Sequence, residues 1–196
     1  QDLSAIGTLF LEGKIDNKKI ITIGGLSAEL KNKHFFIYKG SLVSDLIVSE
    51  ASRGYKIISG DPLSGNIISQ DDSISFYADT VSFIKDEFER EFIGWLNPGL
   101  HKYSLSRTFL SSLFFKKNKQ LTSAMNGSVR TIIPIGAIEK MCVLNVLPTM
   151  LLKSIIAEDI EMMEELGLYE CSPEDFSLCS FVDASKMDIM AIVQKG

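Results

Sequence analysis

The sequence predicts an α+β protein, with a small sheet unit over residues 1–90 followed by a mainly helical unit over residues 91–196. Three observations carry this. Short β-branched runs closed by glycine turns fill the first part, which is how half-buried strands read. Apolar residues repeat every three or four positions in the second part, as on a helix face. Between them lies a dense run of charges, Asp86, Glu87, Glu89, Arg90 and Glu91.

In chain order, Leu3, Ile6, Leu9 and Phe10 recur at helical spacing and predict a short opening helix. Lys19–Ile23 is a strand that stops at Gly24-Gly25, and Phe35–Tyr38 is a second that ends at Gly40. Ser41 is placed to cap a short helix over Leu42, Val43, Leu46 and Ile47. Tyr55–Ser59 makes a third strand, closed by Gly60-Asp61-Pro62, whose residues suit a tight turn. Ile74, Phe76, Val81 and Phe83 fall two apart and extend the pattern to a fourth strand region. Four strands with one helix across them form a small two-layer unit.

The charge run, followed by Phe92, Trp95 and the turn Asn97-Pro98-Gly99, marks the boundary. Beyond it, Ser106–Phe115 is expected as one helix. Asn126-Gly127 is a turn signal between two extended pieces, the second punctuated by Pro134 and Gly136. Leu147, Leu151 and Ile155 repeat every four residues, with Pro148 near the helix start, where its missing N–H costs little. A further helix is expected over Ala157–Leu166, with Glu158 and Asp159 in its opening turn and Gly167 ending it in a left-handed conformation. Ser172-Pro173-Glu174-Asp175 combines a capping side chain, a first-turn proline and early acids before Phe176, Cys179 and Val182.

The net charge of −5 argues against a nucleic-acid partner, because phosphate binding needs a basic face. Lys116, Lys117 and Lys119 after Leu113-Phe114-Phe115 read as a solvated basic turn, with a lipid-headgroup or partner contact as the alternative. No apolar run approaches the ~20 residues of a membrane-spanning helix, and no secretory signal is visible. The chain opens on Gln1 rather than Met, so it is expected to be part of a longer protein. Cys142, Cys171 and Cys179 are odd in number and form no Cys-x-x-Cys pair, which fits reduced, core-filling thiols.

The constellations that carry catalysis are mostly missing. No Gly-x-Gly-x-x-Gly or Gly-x-x-x-x-Gly-Lys-Ser/Thr loop occurs, so neither dinucleotide nor phosphate fingerprints are present. His34 and His101, the two histidines, match no zinc-ligand spacing with the cysteines, and their scarcity weakens nucleophilic catalysis. Glu158, Asp159, Glu161, Glu164 and Glu165 lack a glycine-centred calcium loop and read as exposed helix surface. Phe109, Phe114 and Phe115 read as core rather than as a quinone cleft.

Two stretches carry more. Asn126-Gly127-Ser128-Val129-Arg130-Thr131-Ile132-Ile133-Pro134-Ile135-Gly136-Ala137-Ile138-Glu139-Lys140, with Leu144-Asn145-Val146-Leu147-Pro148-Thr149-Met150-Leu151-Leu152 after it, is one. Glu174-Asp175-Phe176-Ser177-Leu178-Cys179-Ser180-Phe181-Val182 is the other. Both resemble the C-terminal region of NqrA, the cofactor-free peripheral component of the sodium-translocating NADH:quinone reductases. Ala5–Phe10, Ile58–Gly65 and Phe92–Trp95 are similar to the preceding segment of that family, so the resemblance runs in order along nearly the whole chain.

The resemblance implies a β-grasp (SLBB-like) domain followed by a helical C-terminal domain. It implies a peripheral component on the cytoplasmic face of a bacterial inner membrane, docked to other subunits and especially to the membrane-embedded NqrB. The complex would oxidise NADH, reduce ubiquinone and export sodium, with docking and assembly as this half's role and a quinone contact left open. FMN, FAD, riboflavin and iron–sulfur centres are expected in partner subunits, and no cofactor or metal in this chain. Where the family often has a second cysteine after Phe-Val, this chain has Asp183, so four thiolates cannot be gathered for a cluster. That counts against an RnfC-like electron-transfer protein, the first rival. An unrelated SLBB module for a soluble ligand or partner leaves the second-half motifs unexplained, and a free-standing hydrolase lacks its nucleophile–base pair. Arg130, Pro134, Gly136, Glu139, Lys140, Pro148 and Thr149 lie in the strongest motif and are expected in interface or structural roles. Buried ion pairing is the alternative for Arg130, Glu139 and Lys140.

Overall fold

The structure, a computed structural model, describes residues 2–25, 33–46, 54–86, 93–94, 96–100, 109–113, 122–125 and 127–196. It divides into two compact units, residues 1–89 with 120–124, and residues 90–119 with 125–196.

The first unit opens with α1 (Asp2–Glu12), which buries none of its residues. Among the described residues five strands follow: β1 (Lys18–Gly24), β2 (Lys33–Tyr38), β3 (Tyr55–Ser59), β4 (Asn66–Ile68) and β5 (Thr80–Lys85). They form one sheet in the order β2-β1-β5-β3-β4. The central β1–β5 pair is parallel and the other three pairs are antiparallel. Period-two alternation fixes the register. Ile21, Ile23, Ile37, Ile57, Val81 and Phe83 all turn to one face and build the core with Val43 and Ile74. Burying each contributes up to about 1.5–3 kcal/mol.

Several expectations change here. β4 was not anticipated, because three residues are too few to display alternation. Ile74 and Phe76 are not in a strand: Ile74 is buried, with its amide donating to Ser41 O at 3.1 Å, while Phe76 stands under the Lys39 ammonium, 4.5 Å from the ring centroid. Ser41 caps no helix. A single 3-10 turn, Val43–Asp45, has Leu42 at its cap with no side-chain bond, and Ile47 lies outside the described residues. The turn after β3 is built as expected: the Asp61 carboxylate accepts the Leu63 and Ser64 amides at 2.8 and 3.2 Å and the Ser64 hydroxyl. Burial raises the Asp61 pKa, but these bonds outweigh it and hold the carboxyl below its usual 3.8.

The second unit holds α2 (Ala137–Met141), α3 (Pro148–Ala157), α4 (Ile160–Glu165), α5 (Ser177–Val182) and α6 (Ile189–Lys195). Leu151, Leu152, Ile155, Phe176, Cys179 and Ile189 are the centre of its core. Pro148 stands at the first turn of α3, and Leu151 and Ile155 are buried, but Leu147 is exposed at the cap. The helix expected over Ala157–Leu166 starts three residues late. Glu158 takes a left-handed φ of 57°, and Asp159 then caps α4 through the Met162 amide at 3.2 Å. Gly167 is left-handed at φ 86°. The Ser172 box closes with Asp175, leading through a 3-10 turn into α5. The helix expected over Ser106–Phe115 does not form in its described part, because Phe109 is extended and only a 3-10 turn, Leu110–Ser112, follows. Ser106 and Phe115 lie outside the described residues, as do Trp95, His101, Asn126, Phe114, the basic stretch and most of the charge run. Among the described residues no helix is long and apolar enough to cross a membrane.

Candidate functional site

The strongest motif divides into pinned and exposed parts. Residues 127–135 run without regular structure, anchored where the Arg130 amide donates to Ser185 O at 2.8 Å. The extended piece expected before Pro134 therefore pairs with no strand. Gly136 at φ 75° then turns the chain into α2, a conformation that glycine adopts without steric cost. Ile138 faces the core, while Glu139 and Lys140 face out. The buried Thr149 hydroxyl donates to the Glu139 carboxylate, tying α2 to the first turn of α3, where Pro148 is also buried. Arg130, Pro134 and Lys140 are exposed and are not drawn together with that pair. Among the described residues no ion pair joins Arg130, Glu139 and Lys140.

The second motif encloses a buried carboxylate. Asp183, where the resemblance leads one to expect a second cysteine, is 3% exposed. Its two oxygens accept the Ser185 amide at 3.1 Å and the Met187 amide at 3.0 Å. The departure thus has a local reason: a carboxylate with two acceptors closes the turn between α5 and α6, which a thiol would serve poorly. Ser185 is fully buried beside it, and among the described residues its hydroxyl has no partner. α6 itself was missed, although Asp188 followed by Ile189, Ile192 and Val193 is a cap with a helical apolar stripe.

All three cysteines lie in or against the second core, and no disulfide joins them. Burial pushes the Cys179 thiol up to about 11, with Cys142 adding to the shift. Cys171 is raised by burial and by the same neighbour. Sequence spacing gave no signal of this convergence. His34 sits on the exposed part of the sheet, its Nδ1 2.9 Å from Thr22 Oγ1. Among the described residues no group of His, Cys, Asp or Glu is disposed to hold a metal ion. A depression of about 270 Å³ in the second unit has Ile155, Met163 and Leu168 as its floor, with the exposed Glu158–Lys195 ion pair (3.6 Å) and Tyr169 at its rim. Another, of about 440 Å³, lies beside Lys39 and Phe76 in the first.

Fold and motifs define an α+β chain in which a five-stranded mixed sheet precedes a helical unit carrying the distinctive sequence. No family model matches the chain. It is 38% identical over 199 residues to NqrA of the Na(+)-translocating NADH-quinone reductase of Pasteurella multocida, covering 100% of this chain and 44% of that protein. It is 35% identical over 198 residues to the NqrA of Hahella chejuensis, covering 99% of this chain and 44% of that protein. Against that of Neisseria gonorrhoeae it is 34% identical over 197 residues, with 100% and 44% covered. The chain belongs to the NqrA family of the Na(+)-translocating NADH-quinone reductases. It spans less than half the length of these relatives.

Proposed function

We propose that this chain is a docking and assembly part of a peripheral component in a bacterial sodium-translocating NADH:quinone reductase. The observation that carries the reading is the match, end to end, to proteins bearing that name. Its role is to present an exposed surface to the other subunits, the membrane-embedded NqrB foremost, at the cytoplasmic face of the membrane. Residues 127–135, exposed apart from Ile132 and anchored through the Arg130 amide, suit such a surface, because a pre-ordered segment loses little freedom on binding. NADH oxidation, flavins and iron–sulfur centres belong to partner subunits in this reading, and ubiquinone is a substrate of the complex as a whole.

The test is capture of the purified chain by the detergent-solubilised remaining subunits, with binding of a ubiquinone analogue measured in the same preparation. Capture without analogue binding supports docking. Analogue binding by the chain alone moves a quinone site into this half, and failure of both overturns the reading. A visible absorption spectrum of the purified chain checks the cofactor assignment, since bound flavin or an iron–sulfur cluster would refute it.

A further inference from the structure

Cys142, just after α2, and Cys179, inside α5, meet at one backbone carbonyl. The Cys142 amide donates to Ile138 O at 2.9 Å, and the Cys179 thiol reaches the same oxygen at 3.8 Å. The Cys142 thiol lies 3.7 Å from Leu144 O, and Cys142 is close enough to Cys179 to help raise its thiol pKa. Cys171 stands nearby, but its thiol turns to Gly167 O at 3.3 Å. Cys179 is fully buried and Cys142 half-buried, so only one member of the pair is open to a reagent from solvent.

We propose that Cys142 and Cys179 are a redox-sensitive pair that closes to an intramolecular disulfide when Cys142 meets a two-electron oxidant of the peroxide class. Cys142, as its thiolate, attacks one peroxide oxygen, the O–O bond breaks, and the sulfur becomes a sulfenic acid while hydroxide takes up the displaced proton as water. The Cys179 sulfur then attacks the Cys142 sulfur. The S–S bond forms, the S–OH bond breaks, and the Cys179 proton leaves with the hydroxide as a second water. Two thiols lose two electrons and two protons, and one peroxide becomes two waters. Burial keeps Cys179 protonated near neutrality, with its thiol pushed up to about 11. It is therefore a slow nucleophile on its own and acts only on a sulfur already placed beside it. The bond would tie the C-terminal end of α2 to α5 across the core, and dithiothreitol would release it.

The experiment treats the whole reduced chain with hydrogen peroxide, counts free thiols after denaturation, and maps cross-links without reduction. Digestion with trypsin and a Glu-specific protease separates Cys171 from Cys179 by cutting after Glu174. The expected result is a fall from three free thiols to one and a cross-link between peptides 141–153 and 175–186. The variant Cys171→Ser should give the same cross-link, and mapping the unmodified chain needs no substitution in the core. A Cys142–Cys171 link, cross-links only between chains, over-oxidation of Cys142 without a link, or no loss of thiols would each overturn the proposal.

Discussion

Asp183→Ala is the sharpest test of how the second unit holds itself together. The carboxylate is 3% exposed and accepts two amides, from Ser185 at 3.1 Å and Met187 at 3.0 Å. Truncation leaves the buried Ser185 N–H and the half-buried Met187 N–H without partners, and a buried group so left costs about 1–3 kcal/mol. Water entering the vacated space recovers part, so the expected loss is roughly 2–4 kcal/mol. For a unit of this size that lowers the melting temperature by roughly 10–25 °C. Asp183→Asn keeps one acceptor oxygen and should lose about half as much. A comparison calibrates the scale: Asp188 is exposed and caps α6 through a single amide, Ala191 at 3.0 Å. Asp188→Ala should therefore cost only about 1 kcal/mol. Urea unfolding of the three variants at neutral pH, followed by circular dichroism, measures the order. If Asp183→Ala lies within about 0.5 kcal/mol of the parent chain, the carboxylate does not hold this turn and the account of the departure is wrong.

Gly65→Ala should destabilise the first unit by roughly 1–3 kcal/mol, because its Cβ would lie 2.7 Å from both Asp61 O and Ser59 O; urea unfolding reads it. The Asp61 turn adds a pH dependence. Its folded pKa lies below 3.8, so the stability it contributes is full above 3.8 and is lost as pH falls through the folded value. Asp61→Asn should flatten that acid limb in thermal melts at pH 2–5, and an unchanged limb would refute the assignment. Arg130→Glu with Lys140→Glu, both exposed, should weaken capture by partner subunits at low salt while leaving the melting temperature within a degree or two.

What was legible in the sequence was whatever is decided locally. The Gly167 stop, the Ser172 box and Pro148 at a first turn each depend on a few neighbouring residues, and each stands where expected. The β-branched runs likewise found their strands. What failed depends on more distant residues. Ile74 and Phe76 imitate strand alternation, yet one is held by Ser41 O and the other by Lys39. β4 exists because β3 is there to pair with it. Phe109 is drawn extended with its ring against Gly99, a glycine with no Cβ to obstruct it. The meeting of Cys142 and Cys179 at Ile138 O required α2 and α5 to pack together, and no spacing rule encodes that.

The strongest motif contains two kinds of residue that the sequence presents as one. Gly136, Pro148, Thr149 and the Glu139 carboxylate are accounted for inside the unit: a left-handed turn, a helix start and a bond between α2 and α3. Their presence needs no partner. Arg130 and Lys140 differ, since both side chains are exposed and the Arg130 anchor is its backbone amide, which any residue but proline supplies. Folding therefore explains the first group and leaves the charges of the second without an internal task. A charge reversal that impairs capture while sparing stability would assign them to an interface. A reversal that lowers stability instead would return them to the fold and remove the exposed part of the motif from the docking surface.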